Sequence, residues 1–229
     1  MSGAIIELNT VRFRWDRDAP LVLDIQEFRV NPGERVFLEG PSGSGKTTLL
    51  NVLGGVAMPE IGTVEVNGTD LTQLKSAARD RFRADHIGIV FQMFNLIPYL
   101  SPIDNVTLSC RFSQRRHAAA RDKSNSANEE ARRLLARMQL PEDAIINSPS
   151  FELSMGQQQR VAAARALIGA PELIIADEPT SALDHKVRQT FMKLLFDEVA
   201  SVGATLLFVS HDPNLADQFD RCIKLSDIN

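Results

Sequence analysis

The sequence has few cysteines and no long apolar segment. Its two cysteines, Cys110 and Cys222, lie far apart, and no CxxC pair or Cys/His cluster indicates a metal site. We expect both to be reduced thiols. No segment approaches the ~18 uninterrupted apolar residues of a membrane span. The first residues also lack the basic start and apolar run of a signal peptide. These absences predict a cytoplasmic protein, unless a partner holds it at a membrane.

The sequence also lacks a strong excess of charge of either sign. A net charge of −4 over 229 residues provides no basic excess of the kind that neutralises nucleic-acid phosphates. We therefore expect no nucleic-acid partner, and we interpret the small acidic excess as a contribution to solubility. The length is sufficient for one large domain, or for one domain with an inserted lobe.

Short apolar segments alternate with helical patterns along the chain. Three apolar segments, at 35–38, 173–176 and 205–209, show little polar alternation, which is typical of strands buried on both faces of a mainly parallel sheet. Apolar residues at helical spacing predict further elements. These predicted helices cover residues 46–53, 128–138, 156–168 and 185–202. The alternation predicts an α/β domain.

The stretch from about residue 93 to 159 interrupts this alternation. We interpret 93–159 as an inserted helical lobe between two core segments, 1–92 and 160–229, of a single domain that covers residues 1–229. Within the lobe, residues 111–126 carry five Lys/Arg and one acid. We interpret this basic segment as a solvated flexible loop, the alternative being contact with anionic lipid or with an acidic partner.

A glycine-rich loop follows the first predicted buried strand. Residues 40–48 read GPSGSGKTT and fit the pattern G-x-x-x-x-G-K-[ST] at the start of a predicted helix. Such a loop turns backbone N–H groups toward phosphate oxygens, and the helix N-terminus adds a positive dipole end. Lys46 would supply a cation to the β- and γ-phosphates, and the Thr47 hydroxyl would be a ligand for Mg²⁺. The predicted nucleotide-binding residues of the loop are Gly40, Pro41, Ser42, Gly43, Ser44, Gly45, Lys46, Thr47 and Thr48. Kinases, GTPases and transport ATPases share this loop, so it does not distinguish among them.

An acidic pair ends a second predicted buried strand. Residues 173–180 read LIIADEPT, and the carboxyl ends of such strands are where open α/β sheets bind ligands. Asp177 is placed to order Mg²⁺. Glu178 is placed to act as the general base for the water that attacks the γ-phosphate, or to position that water.

Further motifs resemble those of the ATPases of ABC transporters. LSMGQQQR at 153–160 resembles their LSGGQ signature, and SALD at 181–184 resembles their D-loop. Gln92 resembles their Q-loop glutamine, His211 their switch histidine, and Trp15 the aromatic residue that stacks on adenine. The motifs follow the family's order and spacing along nearly the whole chain. The resemblance implies a P-loop NTPase core of the ABC ATPase type, with an antiparallel β part beside the mainly parallel sheet and an inserted helical lobe.

The resemblance also implies a mechanism with ATP and Mg²⁺ as cofactors. Two chains would form a head-to-tail homodimer on binding ATP, with two ATP molecules between them. Ser154, Gly156 and Gln157 of one chain would close over the γ-phosphate held by the other chain's phosphate loop. The signature also starts a predicted helix, and a helix N-terminus binds anions well.

The same resemblance assigns roles to the remaining motif residues. Glu178 and His211 would act on the attacking water and the γ-phosphate. Asp184 would lie across the dimer interface near the opposite phosphate loop. Gln92 would sense Mg²⁺ and transmit movement to the lobe.

The segment FQMFNLIPYLSPIDNV, which includes Gln92, is similar to the lipoprotein-releasing and macrolide-exporter branch of the family. Its Phe94, Leu96, Ile97 and Tyr99 have an exposed pattern, and in the family this region lines a groove that takes a permease coupling helix. Packing inside the lobe is the alternative.

This resemblance predicts separate transmembrane permease subunits and a peripheral position on the cytoplasmic face of the inner membrane. The alternative function is a non-transport ATPase of the cell-division type, which regulates periplasmic partners through a membrane protein.

Met155 departs from the family pattern, because the signature has its first glycine at that position. We expect its flexible side chain to point away from the phosphate and to pack on the neighbouring lobe. The alternative is that it points into the dimer interface and slows hydrolysis.

Overall fold

The computed structural model describes residues 3–181 and 183–229, except the side chains of residues 146 and 147. In chain order its strands are β1 (Ile6–Phe13), β2 (Leu23–Val30), β3 (Arg35–Glu39), β4 (Ile61–Val66), β5 (Thr69–Asp70), β6 (Ile87–Val90), β7 (Leu173–Asp177), β8 (Thr205–Ser210) and β9 (Arg221–Lys224). Its helices are α1 (Lys46–Leu53), α2 (Ser76–His86), α3 (Pro102–Phe112), α4 (Gln114–Ser124), α5 (Ala127–Arg137), α6 (Glu142–Asn147), α7 (Met155–Leu167), α8 (His185–Val202) and α9 (Leu225–Ile228).

The strands form two sheets. One is parallel, with the strand order β6-β7-β8-β3-β9. The other is antiparallel, with the order β2-β1-β4-β5. The α/β class, the parallel sheet and the antiparallel part are therefore confirmed.

Side chains of the parallel sheet are buried on both faces. On β3, Phe37 packs into a cluster that includes apolar residues of α7 and α8. Its neighbours Val36 and Leu38 belong to the opposite cluster, which includes α1 and the antiparallel sheet. Each such side chain contributes about 1.5–3 kcal/mol through burial. These strands lack polar alternation in the sequence because both faces of the sheet are buried.

Four neighbouring parallel strands end close to one another. Glu39 at the end of β3 pairs with Ser210 of β8, and Asp177 at the end of β7 pairs with Val209. Val90, the last residue of β6, pairs with Ala176. The loops after β3, β6, β7 and β8 therefore emerge at one edge of the sheet, the usual place for a ligand in such folds.

The interpretation of residues 111–126 as a flexible loop is wrong, because residues 114–124 form α4. Ser113 caps the helix by accepting a hydrogen bond from the Arg116 backbone N–H (3.0 Å), and Asn125 ends it in a left-handed conformation (φ 63°). Arg116 is buried, and its guanidinium donates to the carbonyls of Ile168 and Ala166 at the end of α7, both at 2.7 Å. One of the five basic residues therefore joins α4 to α7.

Among the described helices, none has both the length and the apolar composition needed to cross a bilayer. In the same part of the chain the two cysteines are free thiols, with Cys110 buried and Cys222 exposed. Burial raises the pKa of the Cys110 thiol, which keeps it protonated and unreactive near neutral pH.

Candidate functional site

The phosphate loop between β3 and α1 wraps around the side chain of Lys46. The Lys46 side chain is only 7% exposed, and its ammonium donates to the carbonyls of Gly40 (2.5 Å) and Pro41 (2.9 Å). Gly45 directly precedes α1 with φ 103°, and a Cβ there would lie 3.1 Å from the Val22 carbonyl oxygen. No side chain caps this helix N-terminus. Its N–H groups and dipole therefore face the loop, as anion binding requires.

Glu178 lies at a sharp turn directly after β7. Its backbone has φ 46°, which is unfavourable for a residue with a Cβ, and its N–H donates to the Val209 carbonyl (2.9 Å). The side chain is 11% exposed. Its Oε1 lies 3.9 Å from Lys46 Nζ, and its Oε2 lies 2.5 Å from His211 Nδ1. The turn thus brings an acid, a cation and an imidazole from three different strand ends together.

Asp177 precedes Glu178 at the end of β7. Burial, together with the neighbouring charge of Glu178, raises the pKa of the Asp177 carboxyl, while Lys46 opposes the shift. A cation bound beside Asp177 would favour the charged carboxylate and so oppose this rise in pKa.

These residues line one open cavity of about 480 Å³. The predicted site residues on its wall are Trp15, Ser42, Gly43, Gly45, Lys46, Thr47, Thr48, Gln92, Asp177, Glu178 and His211. Gly40 and Pro41 contribute carbonyls to Lys46 instead. The Ser44 hydroxyl is buried and has no hydrogen-bond partner among the described residues, which leaves it available to a ligand.

Trp15 stands two residues beyond the end of β1 at the rim of this cavity. It is 62% exposed, and its ring meets that of Phe13 edge to face at 4.9 Å. Phe13 is buried and therefore supports the indole from below. This leaves the indole accessible to a planar ligand such as a nucleotide base.

The predicted signature residues lie on a different surface of the chain. Ser154, Gly156, Gln157 and Asp184 line a separate cavity of about 350 Å³ that no phosphate-loop residue borders. Ser154 caps α7: its N–H donates to the Gln157 side chain (2.8 Å), and its hydroxyl accepts from the Gln157 N–H (3.4 Å). Ala182, within the predicted D-loop, lies outside the described residues. Within the described part of one chain, the structure does not bring these residues to the phosphate loop.

The expectation that Met155 packs on the lobe is wrong. Met155 is the first residue of α7 and is 55% exposed on the signature surface. Gly156 is the position under steric constraint, since a Cβ there would lie 3.3 Å from Val187 Cγ1. The helix start therefore turns the methionine outward and places the glycine against α8.

The segment after Gln92 is less exposed than its pattern predicts. Tyr99 is exposed, but Leu96 and Ile97 are partly buried, and Phe94 is buried in the apolar cluster that includes α7, α8 and one face of the parallel sheet. Phe94 has φ 58°, and this turn directs its ring inward. Next to the turn, Phe91 and Phe112 line a groove of about 440 Å³ together with residues of α2, α3 and α7.

Two side chains that support the site were not identified from the sequence. Gln159 is fully buried on α7 and donates to the carbonyl of Pro179, just after Glu178. Arg188 of α8 pairs with Asp212, the neighbour of His211, and donates to the Leu183 carbonyl (3.4 Å). A polar residue within the apolar, alanine-rich face of α7 is a signal that could have indicated Gln159.

A phosphate loop, an acidic pair at a strand end and a signature helix on a separate surface define an ATP-binding cassette. The ABC transporter family model matches residues 23–181, and the chain belongs to this family. It is the ATP-binding, ATP-hydrolysing cassette of such a protein.

Three comparisons place the chain among its relatives. It is 39% identical to the macrolide export ATP-binding/permease protein MacB of Chromobacterium violaceum over 99% of this chain and 34% of that protein. It is 39% identical to the lipoprotein-releasing system ATP-binding protein LolD of Bacteroides thetaiotaomicron over 88% of each. The chain thus spans about a third of MacB and most of LolD. A dimeric structure of the cassette MJ0796 in a post-hydrolysis state with ADP and phosphate matches with a TM-score of 0.82 and 36% identity, covering 96% of this chain and 93% of that one.

Proposed function

We propose that two copies of this chain hydrolyse Mg-bound ATP at shared sites and that the closure of this dimer drives a membrane permease. The observation that supports this most strongly is the contact of Glu178 with both Lys46 and His211 inside the phosphate-loop cavity. A carboxylate held in this way would lie beside the γ-phosphate of an ATP bound at the loop.

The proposed chemistry divides among groups of the chain. Backbone N–H groups of the loop and Lys46 would stabilise the charge that develops on the γ-phosphate. Glu178 would take a proton from the attacking water or orient it. The His211 imidazole would hold the carboxylate in place through Nδ1 and stabilise the phosphate. Trp15 would stack on adenine.

The residues around Asp177 fit a magnesium ion carried by the nucleotide. In the described part of the chain, no group of three or more His, Cys, Asp or Glu side chains could hold a metal by itself. Mg²⁺ would therefore take the Thr47 hydroxyl, Asp177 through water, and phosphate oxygens, with Gln92 nearby, which is the usual pattern for this ion. When bound, it would neutralise charge on the transferred phosphoryl group.

Dimerisation on ATP would complete the site. The signature surface carries a helix N-terminus but no phosphate loop, while the phosphate-loop cavity is open on one side. A second copy in head-to-tail orientation would bring Ser154, Gly156 and Gln157 over the γ-phosphate, with Asp184 at the interface. Bound ATP would then supply much of the association energy.

The groove beside Phe91 is the surface we assign to the permease. It has apolar side chains on its wall and lies next to Gln92, so an occupant would contact the segment that reaches the nucleotide. This would place the chain on the cytoplasmic face of a membrane. It also gives a role to residues 93–159 as a lobe that links the groove to the core segments 1–92 and 160–229.

The variant Glu178→Gln tests the proposal. It removes the base but leaves Lys46 and the loop, so we expect an ATP-dependent dimer by gel filtration and a turnover at least 100-fold slower. Glu27→Gln, an exposed change on β2, is the matched control. A Glu178→Gln protein that hydrolyses ATP at the normal rate would exclude Glu178 as the base.

A further inference from the structure

The turn that follows Gln92 has an unusual backbone. Phe94 and Asn95 both adopt left-handed conformations, with φ of 58° and 49°. This conformation is unfavourable for residues with a Cβ, and two in succession persist only where the surroundings hold them. Within the turn, the Phe94 N–H donates to the carbonyl of Phe91 (3.0 Å), and the Asn95 N–H donates to the carbonyl of Met93 (2.6 Å).

The side chain that holds this turn is Arg165 of α7. Its two terminal nitrogens donate to the carbonyls of Asn95 and Phe94, each at 2.6 Å. In the described part of the chain its hydrogen-bond acceptors are these two backbone carbonyls, and no ion pair joins it to a carboxylate. Burial lowers the pKa of the guanidinium, which nonetheless remains charged at neutral pH. A charged donor to two carbonyls is a strong clamp.

Arg165 is itself firmly placed. Its own carbonyl accepts hydrogen bonds from the Ser109 hydroxyl (3.1 Å) and from the buried Arg116 guanidinium (3.2 Å). It lies near the C-terminal end of α7, and Ser154 caps the other end about 16 Å away along the helix axis. One rigid helix therefore has the signature at its start and this clamp near its end.

We propose that Arg165 is a positioning residue that fixes the 93–95 turn and so sets the place of Gln92 in the nucleotide cavity. The inference rests on the proposed function for its effect on turnover, but the clamp itself can be tested without it. Because Arg165 also lines the groove beside Phe91, an occupant of the groove would reach Gln92 and the signature helix through the same side chain.

Amide hydrogen exchange of the full chain tests the clamp directly. Arg165→Met keeps much of the length and packing but removes both donors, so we expect at least tenfold faster exchange at Phe94 and Asn95. Arg79→Met is the control, since Arg79 likewise donates to a backbone carbonyl, that of Leu74 (2.7 Å), but in a different part of the chain. Unchanged exchange at 94 and 95 would overturn the proposal.

A double-mutant cycle tests whether Arg165 acts through Gln92. We expect Arg165→Met to lower kcat at least tenfold with less than a threefold change in KM for MgATP, and Gln92→Ala to lower kcat as well. The double variant should be within twofold of Gln92→Ala alone, because Arg165 has no further role once Gln92 is gone. If the double variant instead loses kcat by the product of the two single losses, Arg165 acts independently of Gln92 and has a structural role.

Arg165→Lys provides a second route if Arg165→Met does not fold. A lysine can reach one carbonyl but not both, so its exchange rates and kcat should lie between those of wild type and the methionine variant. A lysine variant equal to wild type in both measurements would refute the clamp. A wild-type chain that hydrolyses no ATP even with the permease present would instead refute the proposed function, and the exchange result would still stand.

Discussion

Nδ1 of His211 lies 2.5 Å from Oε2 of Glu178, although the two residues follow different strands and are 33 positions apart. The contact fixes which imidazole nitrogen faces the carboxylate and leaves Nε2 for another partner. We expect His211→Ala to lower kcat by about 100-fold, with little change in ATP affinity. Exposed His117→Ala on α4 is the control, and normal turnover of His211→Ala would contradict this role.

Trp15→Ala should weaken nucleotide binding by about 1–3 kcal/mol, because a base that stacks on an indole loses that contact. Trp15 is the only tryptophan, so its fluorescence reports the site directly. Titration with ATP should change the emission of the wild-type chain. Tyr99→Ala removes an exposed aromatic ring on the lobe and should bind ATP with the affinity of the wild-type chain. An emission that ATP leaves unchanged would count against stacking.

Asp177→Asn should stabilise the chain in the absence of nucleotide. The pKa of Asp177 is raised in the folded state, so folding favours the protonated acid, and this preference is lost as pH rises through the folded pKa. At pH 7 the carboxylate therefore has a cost that asparagine removes. We expect a rise in Tm of about 2–4 °C. We also expect a smaller Tm gain from MgATP than in the wild type; an equal gain would exclude Asp177 from metal binding.

Arg116→Ala should lower the free energy of unfolding by about 1–3 kcal/mol, because it leaves buried carbonyls at the end of α7 without donors. Chemical denaturation measures this. Arg121→Ala, on the exposed side of the same helix, should change stability by less than about 0.5 kcal/mol. Similar losses in both variants would show that α4 is sensitive to any change.

Met155→Gly should change kcat by less than tenfold, since Gly156 is kept and the exposed methionine on the signature surface is flexible enough to fold aside when a dimer closes. The measurement is ATP turnover in the presence of the permease. A tenfold or greater rise, equivalent to about 1.4 kcal/mol, would show that the methionine hinders dimer closure.

The sequence predicts most of the core because its signals there are local and repeated. The predicted helices at 46–53 and 185–202 match α1 and α8, and the three predicted buried strands match β3, β7 and β8 to within a residue. The residues of the nucleotide cavity could be predicted equally well, since each of its motifs immediately follows a buried strand. Strand β9 was missed because it is a short edge strand of four residues with alternating burial.

The lobe was harder to predict because tertiary contacts decide its structure. Residues 114–124 have a weak apolar pattern, and the helix depends on caps at both ends and on the burial of Arg116. The sequence leaves Phe94 either exposed in a groove or packed inside, and a left-handed turn held by Arg165 directs it into the core. A hydrogen bond between residues 71 positions apart leaves no trace in local spacing.

The strand order also has a consequence for how a nucleotide lies in the site. Lys46 follows β3 and Gln92 follows β6, with β7 and β8 between them. Three strand intervals correspond to roughly 14 Å across the edge of the sheet. The cavity spans this edge, since Lys46 and Gln92 both line its wall. A nucleotide bound at the phosphate loop would therefore have to lie along the edge of the sheet, with its terminal phosphate directed toward β6, if Gln92 is to sense it.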